Sequence, residues 1–249
     1  MTADDGGGSA RALLLDIEGT TTPLAFVVSV LFPYARARLE DFISDNAGAP
    51  EIDVLIADLR AEHAAAAAAA EPVAPWRDDT PAATRASACS FAGWLMDRDR
   101  KSTALKELQG RIWEHGYRSG ALVGQVFPDV PEALHRWRAV GRRAAIFSSG
   151  SVLAQRLLFG HSTAGDLTPL LSAYFDTTTG PKGEASSYVS IAGALELPPA
   201  SVLFVSDVPR ELDAARAAGM LVRLAIRPGN ASVTDASRFI AIHSFNEID

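Results

Sequence analysis

Short apolar runs that end abruptly in polar residues recur along the chain and set the first expectation about its fold. Ala12-Leu-Leu-Leu-Asp16 is apolar up to an acid. That is the pattern of a strand buried on both faces, with the acid at its C-terminal edge. The pattern returns in Ala144–Phe147 before Ser148-Ser-Gly150, Val202–Val205 before Ser206-Asp207, and Leu221–Ile226 before Arg227-Pro-Gly-Asn230; Ala173–Phe175 before Asp176 is a weaker copy. Between these runs, Pro131–Val140, Ser151–Phe159, Ser187–Leu195 and Pro209–Ala218 carry apolar residues at helical spacing. Pro131 and Pro209 stand where a helix start tolerates proline, and Gly141 and Gly219 where a helix stops. Strands alternating with helices predict an α/β fold, a doubly wound parallel sheet covered on both faces.

The stretch after the first strand breaks this alternation. Helical patterns cover Val27–Ile43, Ile52–Ala70, Thr84–Asp97 and Ala104–Gly116, with no convincing strand among them. The expected organisation is therefore a core of residues 10–23 and 126–249, with a helical cap of residues 24–125 inserted after the first strand. An insertion there would sit above the strand edge where α/β sheets bind ligands, and can serve as a lid. The Ala64–Ala70 run has high helix propensity and reads as a solvated helix. It is too short to span a bilayer.

Composition narrows the classes. The 249 residues are 48% hydrophobic and 21% charged, which suits a globular protein with one large or two modest cores. Thirty acidic against 23 basic residues give a net charge of −7, and no basic cluster marks a nucleic-acid surface. Cys89 stands alone, so no intramolecular disulfide forms. Met1 to Ala10 lacks the basic and apolar regions of a signal peptide. The expectation is a cytoplasmic protein with no membrane partner, monomeric because no heptad seam is readable.

Candidate chemistry gathers at the strand ends. Asp16-Ile-Glu18-Gly19 puts two carboxylates two positions apart, where strand alternation aims both to the same side and Gly19 permits a sharp turn. One carboxylate can attack a phosphoryl group while the other handles the leaving-group proton; a strand-end acid pair satisfied by helix N-termini or an arginine is the plainer alternative. Ser148 and Ser149 precede a helix start, where hydroxyls and free N–H groups suit a phosphate, although serine is also the ordinary N-cap. Lys182, in Gly180-Pro-Lys-Gly183, can neutralise a phosphoryl oxygen. Asp207 can complete an oxygen-rich magnesium site with Asp16 and Glu18. Glu211 stays open between that role and a first-turn acid favoured by the helix dipole, which is the reading for Asp213. Acid-x-acid, serine, lysine and acid each follow a different strand, and loops of one parallel sheet converge on one edge.

This order resembles the haloacid-dehalogenase-like phosphohydrolases over essentially the whole chain, with Glu18 where most phosphatases of that group carry Asp. Asp16-Ile-Glu-Gly-Thr-Thr, Leu31-Phe-Pro-Tyr-Ala, Lys101 to Trp113, Ser148-Ser-Gly-Ser-Val, Leu158-Phe-Gly-His-Ser, Phe175-Asp-Thr and Arg227-Pro-Gly-Asn are similar to a narrower family, the enolase-phosphatases (acireductone synthases) of methionine salvage. The resemblance implies enolisation and then dephosphorylation of 2,3-diketo-5-methylthiopentyl-1-phosphate. It implies Mg²⁺ on Asp16, Glu18 and Asp207, substrate on Ser148 and Ser149, and phosphate on Lys182. Asp16 is then the in-line nucleophile and Glu18 the acid/base. The enolisation base stays unassigned among Glu18, Lys101 and Glu107, and Phe26, Phe32 and Trp113 are pocket candidates for the methylthio end. A general small-molecule phosphatase, a hydrolytic dehalogenase, a phosphate-accepting receiver and a catalytically silent phosphate-binding module are the rival readings.

Overall fold

The computed structural model describes residues 10–234 and 236–249; Met1–Ser9, the start of the stretch read above as lacking a signal peptide, lies outside the described residues. The chain forms two compact units. One contains the described parts of Met1–Val28 together with Gly120–Asp249, and the other is Ser29–Ser119.

The first unit is built on a six-stranded sheet: β1 (Ala12–Leu15), β2 (Arg143–Phe147), β3 (Leu171–Phe175), β4 (Val202–Ser206), β5 (Leu221–Ala225) and β6 (Ala241–Ile242). Its order is β3-β2-β1-β4-β5-β6 and every pairing is parallel. The five predicted strands are all present; β6, only two residues long, carries too little pattern to be read in advance. Every residue of β1 is fully buried, as an unbroken apolar run requires. Successive strands run outward from β1 to β2 and β3, and the chain then returns to the other side of β1 as β4. Asp16 thus sits at the point where strand order reverses, the crevice where such sheets place ligands.

One face of this sheet buries Leu14, Phe147 and Phe204 against Tyr188, whose ring meets both phenylalanines edge-on at 5.5 and 5.0 Å. Trp137 packs on Phe245, centroids 5.5 Å apart. The covering helices are Asp129–Ala139, Val152–Gly160, Ala185–Ala194 and Pro209–Ala217, close to the predicted spans.

The second unit is helical. Its main helices are Phe32–Asp45, Pro50–Ala68, Pro81–Asp97 and Thr103–Arg118. Thr80 and Ser102 cap two of them by accepting the amide protons of Ala83 and Leu105. Of the alanine run only Ala66 is buried, as a solvent-facing helix demands. The single helix expected over Val27–Ile43 is instead a five-residue π-helical turn, Val27–Leu31, followed by the Phe32–Asp45 helix. Pro33 has no amide proton to continue the ladder, so the chain starts a new helix there. Among the described residues no helix is long and apolar enough to cross a membrane.

Candidate active site

The site is assembled where the backbone leaves β1. Asp16 is 4% exposed, and its amide still bonds the Val205 carbonyl at 3.0 Å. Strand geometry ends one residue earlier, at Leu15. The amides of Thr20, Thr21 and Thr22 all turn back onto the Ile17 carbonyl, and Gly19 takes φ +65°. This tight turn buries Asp16 and leaves Glu18 exposed.

Lys182 is the partner of Asp16. Its ammonium lies 2.6 Å from Asp16 Oδ1 and 2.7 Å from Glu211 Oε2, with the lysine 9% exposed. The loop that delivers it is held from behind, because Tyr188 Oη donates to the Lys182 carbonyl at 2.7 Å and Ser187 Oγ to the Pro181 carbonyl at 2.8 Å. Gly180, at φ +145°, lets the loop pass so close that a Cβ there would stand 2.3 Å from Ser187 Oγ. Burial alone pushes the lysine pKa down, but the charges of Asp16 and Glu211 outweigh it and the net direction is upward. Glu211 is thus a member of the site and not merely a first-turn acid.

Ser206, expected only as polar punctuation after an apolar run, ends β4 and is completely buried. Its hydroxyl lies 3.2 Å from Asp16 Oδ2 and 3.0 Å from Glu211 Oε2, and it accepts the Val208 amide at 3.1 Å. A polar side chain closing an apolar strand beside Asp207 was the available signal. Register explains the meeting: Leu15 pairs with Val205, so the next residues, Asp16 and Ser206, stand side by side.

On the same edge, Asp207 donates its amide to Thr20 Oγ1 at 3.1 Å. Its carboxylate lies against Gly19, where a Cβ would meet Oδ2 at 2.3 Å. Among the described residues no cation pairs with it. Burial, and then the charge of Asp16, push Asp207 up to about 6; the same two causes push Glu211 up to about 7.

Ser148 is buried at the end of β2, its Oγ accepting the Gly150 amide at 3.2 Å. Ser149 is exposed. The N-cap of the following helix is Ser151, which accepts the Ala154 amide. Capping therefore accounts for neither Ser148 nor Ser149. Of the apolar candidates, Phe26 is 2% and Trp113 9% exposed, while Phe32 remains 40% exposed. Trp113 Nε1 donates to the Leu31 carbonyl.

Other segments that stood out in the sequence have structural uses. In Leu158-Phe-Gly-His-Ser, the His161 carbonyl accepts the Gly124 amide at 2.7 Å, and Gly124 has no room for a Cβ, which would lie 2.2 Å from the Leu158 carbonyl. Arg227 is buried between the rings of Phe127 and Phe245, pairs with Asp129 at 2.8 Å and donates Nε to the Thr20 carbonyl at 3.0 Å. Asn230 Nδ2 donates to the Gly19 carbonyl at 2.9 Å. Together they pin the turn that carries Asp16.

Three carboxylates face one ammonium at this edge, so an arriving phosphate dianion meets surplus negative charge. A divalent cation would reverse that sign. The donors present fit a hard cation: Asp16 and Asp207 offer carboxylate oxygens, and Asn230 Oδ1 is a buried acceptor with no donor. Among the described residues no three His, Cys, Asp or Glu side chains are gathered closely enough to hold a metal by themselves, so water and carbonyl oxygens would complete the shell, as Mg²⁺ usually requires.

The model of the haloacid dehalogenase-like hydrolases matches residues 10–219. Enolase-phosphatase E1 of Synechococcus elongatus is 55% identical over 240 residues, covering 96% of this chain and 98% of its own. The protein of the same name from Drosophila willistoni is 44% identical over 229 residues, 92% of each chain. Among solved structures, the UTR4 protein of Saccharomyces cerevisiae superimposes with a TM-score of 0.75 at 33% identity, covering 94% of this chain and 98% of that one. A dehalogenase crystallised as an intermediate complex shares the fold, with a TM-score of 0.53 at 18% identity.

Proposed function

We propose, for a chain that belongs to the enolase-phosphatase E1 family of haloacid dehalogenase-like hydrolases, that it converts 2,3-diketo-5-methylthiopentyl-1-phosphate to the acireductone of methionine salvage with release of phosphate. The observation that carries the phosphatase half is the buried Asp16 carboxylate, fixed by Lys182 on one oxygen and by the Ser206 hydroxyl on the other.

Such fixing leaves one carboxylate oriented at the strand edge for in-line attack on phosphorus, so little reorganisation precedes the step. Lys182 is placed to neutralise the oxygens of the transferring group. Ser148, buried and not used for capping, supplies a hydroxyl to the phosphate, with exposed Ser149 beside it. Glu18, at the solvent side of the turn, is the group available to protonate the leaving alkoxide and then to activate water against the aspartyl-phosphate. Asp16 and Asp207 would hold the cation, for which we propose Mg²⁺, with Glu18 assigned to the same site by family resemblance. When bound, the cation supplies positive charge to the phosphate and to the enediolate. The helical residues 24–125 as a cap, a monomeric state and a cytoplasmic location belong to the same proposal, the last in keeping with the lone Cys89.

The test follows enediol absorbance and released phosphate in one sample of protein and diketo-phosphate, with and without Mg²⁺. Transient enol absorbance followed by stoichiometric, Mg²⁺-dependent phosphate is the expected result. Hydrolysis of simple phosphate esters without any reaction of this compound would overturn the substrate assignment and leave a general phosphatase.

A further inference from the structure

Asn230 combines two features that packing does not reconcile. Its Nδ2 donates to the Gly19 carbonyl at 2.9 Å, and that carbonyl can only accept, so the amide orientation is forced. The opposite atom, Oδ1, is then buried without a donor. A buried acceptor left unsatisfied costs about 1–3 kcal/mol. Oδ1 also shares its surroundings with a carboxylate. A Cβ on Gly19 would stand 2.9 Å from Asn230 Oδ1 and 2.3 Å from Asp207 Oδ2, so both oxygens crowd the same small space beside the Gly19 Cα. Asp207 in turn has no cationic partner among the described residues. Asn230 Oδ1 and the Asp207 carboxylate therefore border one small space beside Gly19. The loop that places Asn230 is held firmly, with its own amide on the Arg227 carbonyl at 3.1 Å and Arg227 buried beneath Thr20, so the arrangement is imposed on Asn230.

We propose that Asn230 is a positioning residue of the cation site: Nδ2 fixes the Gly19 turn, and Oδ1 accepts a hydrogen bond from a water in the shell of a divalent cation carried by Asp16 and Asp207. This rests on the cation assignment made above. It gives the orphaned oxygen its donor and couples the turn that carries Asp16 to metal occupancy. Outer-shell groups of this kind orient the ligands they touch, and their loss lowers metal affinity.

The experiment titrates Mg²⁺ into the full chain by calorimetry and follows the Mg²⁺-induced rise in melting temperature, for wild type, Asn230→Leu and Asn230→Asp. Both variants are close in size to asparagine and both lose the bond to Gly19, so both lower the melting temperature of the metal-free protein. Only Asn230→Asp keeps an acceptor at Oδ1. The expected result is Mg²⁺ affinity weakened by about ten- to a hundredfold in Asn230→Leu and held near or above the wild-type value in Asn230→Asp. Equal weakening in both variants would place the whole effect in the Gly19 contact and overturn the role of Oδ1, as would unchanged affinity in both. If Asn230→Leu does not fold, Asn230→Asp decides: weakened affinity overturns the proposal, and retained affinity supports it. Absence of Mg²⁺ binding by wild-type protein would overturn the cation assignment itself, a separate result.

Discussion

The two flanks of Asp16 are built on opposite principles. Toward Lys182 every polar group has its partner: the ammonium spans two carboxylates, the lysine carbonyl takes the Tyr188 hydroxyl, and Ser206 joins Asp16 to Glu211. Toward Asp207 and Asn230, the Asn230 oxygen is buried without a donor and, among the described residues, no cation pairs with the neighbouring Asp207 carboxylate. The first flank is complete as protein and serves as a rigid mount for the nucleophile. The second is completed only by something that brings positive charge. Buried networks that are fully satisfied specify one arrangement, whereas unsatisfied groups mark the place of a ligand.

The most severe test removes what the two flanks share. Asp16→Asn should lower phosphate release by about four orders of magnitude or more, the scale seen when a nucleophile is lost. Single-turnover phosphate assays, with deamidation excluded by mass spectrometry, would show it; near-normal release would dismiss Asp16 as nucleophile. Next in size is Lys182→Met on the satisfied flank. It strands Asp16 and Glu211 as two buried carboxylates in contact with one serine, and breaking a buried pair in this way costs about 3–5 kcal/mol. Urea unfolding at pH 7 measures it, and a loss below about 1 kcal/mol would mean that the first flank is not the rigid mount described.

How much of this was legible beforehand follows from what each signal depends on. Strands such as β1 and β4 were readable because burial on both faces writes an unbroken apolar run into the sequence, whereas β3, only partly buried, left the weaker signal. Asp16, Lys182 and Asp207 were readable because strand ends converge on one edge of a parallel sheet. Glu211 was readable only as an open choice, and Ser206 not at all, since only the pairing of Leu15 with Val205 brings Ser206 beside Asp16. Asp16 and Glu18 differ in burial because the chain leaves strand geometry at Leu15 and turns at Gly19. Asn230 was readable as loop punctuation after a strand and as part of a family-like segment, but not in its role, which depends on a contact spanning 211 positions.

Acidity distinguishes the flanks more gently. In the metal-free protein Asp207 is raised from 3.8 to about 6 and Glu211 from 4.5 to about 7, so between those values the folded chain binds more protons than the unfolded one. Stability therefore falls as pH rises from about 4 to 7. The expected loss is about 4 kcal/mol in all, roughly 3 from Glu211 and about 1 from the partly exposed Asp207 after allowing for solvent screening. Asp129, held below its ordinary 3.8 by the Phe245 amide, Arg227 and Ser244 despite its burial, has the opposite sign and acts only below about pH 4. Denaturant midpoints across pH 4–8 in EDTA should slope downward, and saturating Mg²⁺ should flatten them by favouring ionised Asp207.

The smallest effect isolates that one residue. Asp207→Asn keeps the shape and removes the charge, so in metal-free protein at pH 8 it should stabilise the fold by about 1 kcal/mol, the part of the slope owed to Asp207. At pH 4, where the native carboxyl is already neutral, the gain should vanish. The same variant should lose the Mg²⁺-induced rise in melting temperature. Stabilisation without metal and indifference to metal must appear together if the second flank is strained by its own charge and relieved by a cation. A variant less stable than wild type at pH 8 would show that Asp207 is satisfied within the protein, and the contrast between the flanks would collapse.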